Sequence, residues 1–306
     1  MIEHLIVPLD GSAFSEQVLP LAMRLAQASE ADVHLVHVHV PRPPDMFLTE
    51  ATLGVEGVDI GAWDDERREQ SRAYLEQIAV GLRGENAPEI HTAWLEGGFE
   101  EEIDHYGASL ESALILITSH GRTGLSRFWL GSATDALVRT TRLPVLVAHP
   151  DPEGDADTVL LPALDHILVP LDGSPESTSV LTPVAALARA TGARITLFHV
   201  VSSDDLIGGP ILPVLVRSLP ESLERAREHL ERRAETLRRS GLDVDVDVAH
   251  GQMPARAIAR EAEERGVDLV AMSTHGYGGV RRVLLGSVTD KVLRGVALPL
   301  LLQRPD

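Results

Sequence analysis

Cysteine is absent from this chain of 306 residues, and lysine occurs once, at Lys291. The first absence excludes disulfides, thiolate metal sites and cysteine nucleophiles, and it fits a cytoplasmic protein. The second means that a phosphate site here must use backbone N–H groups, arginine or a metal ion. No apolar run approaches the length of a bilayer crossing. The segment Met1 to Val7 lacks the basic region and cleavage site of a secretion signal and reads as a first β-strand. Positive charge is scarce, with 27 basic against 46 acidic residues and a net charge of −19. So acidic a surface repels phosphate backbones and anionic lipid, which argues against nucleic-acid and membrane partners. It is equally compatible with ordinary solubility. A P-loop with its lysine is also missing, so P-loop phosphoryl transfer is excluded.

What the chain does have is an internal repeat. His4-Leu5-Ile6-Val7-Pro8-Leu9-Asp10-Gly11-Ser12 returns as His166-Ile167-Leu168-Val169-Pro170-Leu171-Asp172-Gly173-Ser174. Val36-His37-Val38 returns as Phe198-His199-Val200, and Ser119-His120-Gly121 as Thr274-His275-Gly276. Leu130-Gly131-Ser132 returns as Leu285-Gly286-Ser287, and Leu143 to Val147 as Leu298 to Leu302. The order is the same in both halves, which is duplication. An acidic stretch with Pro and Gly, Asp151 to Asp157, reads as a solvated linker. The expected division is a first domain over 1–150, a linker over 151–163 and a second domain over 164–306.

Each half alternates strands and helices. In the second, apolar Ile167 to Leu171 is followed by a helical pattern through Val180, Val184, Leu187 and Ala188 that stops at Gly192. Strands are expected at Ile195–Val201, Leu242–Val248, Asp268–Ser273 and Leu298–Leu302, with helices at Glu221–Arg239, around Ile258, and at Val288–Arg294. Apolar residues alternate with Asp243, Asp245 and Asp247, the pattern of a strand with one wet face at a sheet edge. Five strands alternating with helices imply an α/β fold, a doubly wound parallel sheet in each of two tandem copies. Ligands of such sheets bind beyond the carboxyl ends of the strands, where the repeated motifs fall.

Two motifs carry the chemistry. Pro8-Leu9-Asp10-Gly11-Ser12 and its copy sit where the first strand gives way to a helix. Asp and Ser there suit a turn and N-cap, and the carboxylate is also placed to accept a hydrogen bond from a ligand's base or ribose. The second motif is Thr118-Ser119-His120-Gly121-Arg122-Thr123-Gly124 followed by Gly131-Ser132, with the copy Ser273-Thr274-His275-Gly276-Tyr277-Gly278-Gly279 followed by Gly286-Ser287. Glycines let a backbone approach a ligand closely. A Gly-Ser opening a helix presents free N–H groups and the helix dipole to an anion.

At these residues the chain resembles the universal stress protein family. Nucleotide-binding members share Gly, two residues, Gly, nine residues, Gly, then Ser or Thr. Gly121 and Gly276 match the second Gly, and nine residues later stand Gly131-Ser132 and Gly286-Ser287. The family's Asp after the first strand matches Asp10 and Asp172. The residue whose backbone reads adenine matches Val38 and Val200. One departure occurs in both halves: Thr118 and Ser273 replace the first Gly, where a hydroxyl either adds a hydrogen bond or narrows the site.

The resemblance implies a Rossmann-like domain, twice, each binding ATP, ADP or AMP, with Mg2+ or Mn2+ held through the phosphates. The implied binding set in the first half is Pro8, Leu9, Asp10, Val38, Thr118, His120, Gly121, Arg122, Gly124, Gly131, Ser132 and Ala133. In the second it is Pro170, Leu171, Asp172, Val200, Ser273, His275, Gly276, Gly279, Gly286, Ser287 and Val288. Single-domain relatives pair through their last strands. Here Pro144–Val147 and Pro299–Leu302 would pair within one chain as an internal pseudo-dimer, with a homodimer of two chains left open.

Weaker signals remain. His37 and His39 share a strand face and could hold a metal, but the pair is not repeated, because Val201 stands in place of His39. Arg122 and Arg127 face phosphates on this reading, whereas Tyr277 and Arg282 replace them, so the two sites are expected to differ. The segment from Pro41 to Trp63 reads as a lid or a variable loop. Adenine-nucleotide binding by a stress-response or regulatory module is favoured over two alternatives, a slow ATPase and an interaction module with degenerate sites. No carboxylate is placed to activate water, and no acid–base pair is repeated.

Overall fold

The computed structural model describes residues 1–40, 60–119, 131–149, 163–202, 218–274 and 285–305. The first half runs β1 (His4–Pro8), α1 (Ala13–Glu16), α2 (Leu19–Ser29), β2 (Asp32–His39), α3 (Ile60–Leu82), β3 (Ile90–Glu96), α4 (Phe99–Ala108), β4 (Ala113–Thr118), α5 (Ser132–Thr140) and β5 (Val145–Ala148). The second repeats it: β6 (His166–Pro170), a 3-10 turn (Glu176–Val180), α6 (Leu181–Thr191), β7 (Arg194–Val201), α7 (Leu219–Arg239), β8 (Val244–His250), α8 (Pro254–Glu264), β9 (Leu269–Ser273), α9 (Ser287–Gly295) and β10 (Leu300–Gln303).

The expected elements are present with small shifts at their ends. Helix α7 begins at Leu219, before Glu221, because Ser218 and Glu221 form a reciprocal capping box. Strand β10 begins at Leu300, after the expected Leu298. Pro299 lacks an N–H, so it enters the ladder only through its carbonyl, which accepts from Val270 N–H at 3.1 Å.

Within each half the strands are parallel, in the order β3-β2-β1-β4-β5 and its copy β8-β7-β6-β9-β10. The doubly wound arrangement expected from the sequence is therefore present twice. Strand β8, with its alternating aspartates, is an outer strand. The halves join through β5 and β10, which pair antiparallel as Val145 with Leu302, Leu146 with Leu301 and Val147 with Leu300. The result is one sheet of ten strands.

The inner strands are covered on both faces, so β1, β4, β5, β6, β9 and β10 are near-continuous apolar runs. One face buries Leu5, Val33, Leu146, Ile167, Leu197 and Leu301 in a cluster that spans the halves. The other does the same with Ile6, Val36, Val147, Leu168, Phe198 and Leu300. Helices α2 and α6 pack on each other across the seam. On the opposite face, Arg139 bonds Asp135 and Arg294 bonds Asp290, and Arg139 stands 3.9 Å from Asp290 between them. Helix α4 sits so close to the sheet that a Cβ on Gly107 would overlap Leu143 and come within 3.0 Å of Ile6. Among the described residues, no helix is long and apolar enough to cross a membrane.

Candidate functional site

The repeated motifs meet at the carboxyl ends of β1, β2 and β4, and again at those of β6, β7 and β9. Strand β1 pairs with β2 as far as Pro8 and Val36. Leu9 N–H then donates to Val36 C=O at 2.8 Å, after which the chain leaves the sheet. Asp10 Oδ1 accepts from the Ser12 N–H at 2.9 Å and from its hydroxyl at 2.5 Å. Gly11 takes φ +81°, a left-handed conformation that glycine adopts without penalty. Ser12 Oγ caps α1 by accepting from Ser15 N–H at 3.2 Å. The copy is nearly superposable in its chemistry. Asp172 Oδ1 accepts from Ser174 at 2.9 and 2.5 Å, Gly173 has φ +87°, and Ser174 Oγ accepts from Ser177 N–H at 3.1 Å. Both aspartates are exposed.

A repeated histidine locks this turn to the sheet. His37 Nδ1 donates to the Leu9 carbonyl at 2.8 Å, and His199 Nδ1 to the Leu171 carbonyl at 2.7 Å. A carbonyl can only accept, so in both rings the proton sits on Nδ1. The orientation of the aspartate turn thus depends on a side chain from the neighbouring strand. The sequence repeats His37 as His199 and pairs it with the unrepeated His39 as a metal candidate, but it does not show that the ring pins the turn.

Val38 follows on β2. Val36 C=O points toward β1, and peptide groups alternate sides along a strand, so those of Val38 also face the β1 side. They do so beyond the last β1–β2 pair. Val200 has the same relation to β6, which ends its pairing at Phe198. Both valine side chains are half-buried against the core. The backbone edge at Val38 and Val200 is therefore presented to the space left by the departing Asp10 and Asp172 turns.

The second motif is described at its two ends. Thr118 and Ser273 close β4 and β9 and are buried. Their carbonyls accept from Thr134 Oγ1 at 3.2 Å and Thr289 Oγ1 at 2.9 Å. The Ser273 hydroxyl lies 3.4 Å from that of Ser179 in the 3-10 turn. The chain then leaves the sheet and returns where it left, since Gly131 N–H donates to Ser119 C=O and Gly286 N–H to Thr274 C=O, at 2.6 and 2.7 Å. His120, Gly121, Arg122 and Gly124 lie outside the described residues, as do His275, Gly276 and Gly279, Arg127, Tyr277 and Arg282, and the segment after Pro41.

Glycine itself is the N-cap of α5 and α9, and Ser132 and Ser287 are the first helical residues. Among the described residues, no side chain caps either helix. Ser132, Ala133 and Ser287 are exposed and Val288 is half-buried. The first-turn N–H groups and the positive end of the dipole thus face outward at the sheet edge, an arrangement that favours an anion.

The surroundings of the two turns differ. In the first half, Tyr74 of α3 donates to Glu16 at 2.8 Å. Burial, that bond and the nearby Asp10 charge push the phenol well above its ordinary range. In the second half the corresponding residue on α7 is His229, and Thr178 replaces Glu16. Burial and the charges of Arg233 and Arg232 hold His229 below its ordinary pKa, against the pull of Asp172. Its buried Nε2 finds no hydrogen-bond partner among the described residues. Neither Tyr74 nor His229 was singled out from the sequence, because the two are unlike and lie in helices whose pattern signals only packing.

The sequence model of the universal stress protein family matches residues 1–149 and 163–304. A universal stress protein of Mycolicibacterium smegmatis is 25% identical over 310 aligned positions, covering 98% of this chain and 97% of its own length. The Bacillus subtilis universal stress protein YxiE is 29% identical over 147 positions, which is 99% of that protein and 46% of this one. The crystal structure of a universal stress protein from Archaeoglobus fulgidus covers 100% of this chain and 97% of its own, with a TM-score of 0.66 at 20% identity. Two family matches in sequence order, joined to the repeated fold, have one meaning: the chain belongs to the universal stress protein family, as a tandem member with two such domains.

Proposed function

We propose that each half binds one adenine nucleotide and that the protein acts as a cytoplasmic stress-response or regulatory module. The observation that carries this reading is the repetition of one constellation with the same hydrogen bonds. An exposed aspartate is held in a turn, the turn is pinned by a histidine, a backbone edge is left open beside it, and an uncapped helix N-terminus stands across the sheet edge. Asp10 and Asp172 suit ribose hydroxyls, which donate to a carboxylate. The Val38 and Val200 peptide groups offer one donor and one acceptor, the complement of an adenine edge. The N-termini of α5 and α9 suit phosphate oxygens, as the scarcity of lysine requires. The residues therefore fit ATP, ADP or AMP, with Mg2+ or Mn2+ entering on the phosphates. The domains on this reading are 1–150 and 164–306, linked by 151–163.

Among the described residues, no side chain is arranged to activate water, so binding is favoured over hydrolysis. The hydroxyls of Thr118 and Ser273 are buried, and the latter reaches toward Ser179. That position suits a site lined, not filled, by the departure from glycine.

Calorimetric titration of the whole chain with Mg-ATP tests the reading. Two sites per chain of unequal affinity are expected. Asp10→Asn keeps an amide oxygen for the Ser12 bonds while removing the charge, and should weaken one site at least tenfold, about 1.4 kcal/mol. Asp172→Asn should weaken the other by a similar factor, and the double variant should weaken both. No heat from the unsubstituted protein, or unchanged affinity in the double variant, overturns it.

A further inference from the structure

A second group of polar residues lies at the opposite end of the first half's sheet, where β1, β2 and β3 begin. The strand register sets His4 beside Asp32 and His34 beside His91. His4 Nδ1 is 3.1 Å from His34 Nε2 and 3.9 Å from Asp32 Oδ2. All three ligand atoms fall within 4.8 Å of one another. Around a tetrahedral zinc ion with bonds of about 2.0–2.1 Å, neighbouring ligand atoms stand about 3.3–3.5 Å apart. The His4–His34 spacing is already close to that, and Asp32 Oδ2, 3.9 Å from His4, must move inward to close the triad on an ion.

The surroundings are those that a metal ligand requires. The other ring nitrogen of His34 meets the Tyr106 hydroxyl at 2.8 Å, which orients the ring and leaves Nε2 for the ion. His91 stacks on His34 with centroids 4.7 Å apart, and its Nε2 lies 3.6 Å from the same Asp32 oxygen and 3.7 Å from Glu89. Asp32 is thereby held from both sides. The His4 and Asp32 side chains are 23% and 36% exposed, so an ion has a path in.

The duplicated half supplies an internal comparison. Its register places His166, Arg194, Thr196 and Asp245 where the first half has His4, Asp32, His34 and His91. His166 Nε2 meets Thr196 Oγ1 at 2.8 Å, and its Nδ1 meets the Arg194 guanidinium at 3.0 Å. A fixed cation occupies the place of the carboxylate, and the same fold stands without the histidine cluster.

We propose that His4, His34 and Asp32 bind one divalent transition-metal ion of the zinc class per chain, at a site separate from both nucleotide edges. Imidazole and carboxylate ligands without thiolate suit zinc and its neighbours better than magnesium or calcium.

The test uses the full chain, stripped of metal and nucleotide, titrated with zinc chloride in the presence of excess Mg2+ to saturate weak acidic surface sites. One zinc per chain is expected. His4→Gln and Asp32→Asn, both at partly exposed positions, should each weaken it at least about tenfold with an unchanged circular dichroism spectrum. Cobalt should give the visible absorption of a tetrahedral complex, lost on adding zinc. Absence of saturation at millimolar zinc, two equal sites per chain, or affinity unchanged in both variants overturns the proposal. Neither variant touches the Asp10 or Asp172 turn, so failure here leaves the nucleotide reading standing, and the reverse also holds.

Discussion

Replacing Leu301 by alanine tests whether the two halves share one core. Leu301 is the middle residue of the antiparallel seam, directly opposite Leu146, and both are fully buried. It lies in a cluster that includes Leu5 and Leu35 from the first half and Ile167 and Leu197 from the second. Truncating a buried leucine costs about 2–5 kcal/mol, depending on how far the site collapses. Helix-covered faces on both sides of the seam leave little room for collapse, so a loss toward the upper end, about 4 kcal/mol, is expected. With a urea slope of about 3 kcal/mol/M, the midpoint should fall by about 1.3 M. The readout is unusually direct, because Trp63, Trp94 and Trp129 all lie in the first half. Tryptophan fluorescence therefore reports one half, and far-ultraviolet circular dichroism reports both. If the core is shared, a substitution in the second half shifts both signals together, as one transition. A fluorescence midpoint that stays in place while circular dichroism resolves a separate earlier phase would refute the shared core.

Gly107→Ala should destabilise by about 1–3 kcal/mol, because its Cβ would overlap the Leu143 Cδ1 methyl and press on that of Ile6, forcing both side chains to shift; urea unfolding measures it. Stability should also fall as pH drops. Burial, helped by the neighbouring His91 and His4, lowers His34 from 6.5 to about 4, and burial likewise lowers His166 and His229. A histidine with a depressed folded-state pKa takes up its proton more readily when unfolded. Its contribution is thus complete above pH 6.5 and lost between there and about 4, with an upper limit of about 3 kcal/mol for His34 before solvent screening. Thermal melts with chelator present, from pH 7 to 4, should show a falling midpoint; a flat profile across that window contradicts the assignment.

The duplication, the alternation of strands and helices and the wet edge strand were legible from periodicity alone, and the structure contains them. The expected pairing of the last strands within the chain also appears, as Leu146 opposite Leu301. The aspartate turn was legible because Asp-Gly-Ser is itself local chemistry. Its lock was less so, since the bond from His37 to Leu9 joins residues 28 apart and depends on how β2 pairs with β1. The histidine cluster was not visible, because His4, Asp32, His34 and His91 are scattered along the chain and meet only through register.

The sequence by itself thus determined the duplication, the order of elements and the turn chemistry at each strand end, all of which follow from patterns within a few residues. Tertiary structure decided that the two halves, paired through their last strands, share one core across that seam. It also decided that a histidine from the second strand orients each aspartate turn, and that Tyr74 and His229 make the two turns unlike. These depend on contacts between distant segments, which strand register and helix packing set and which no local pattern encodes.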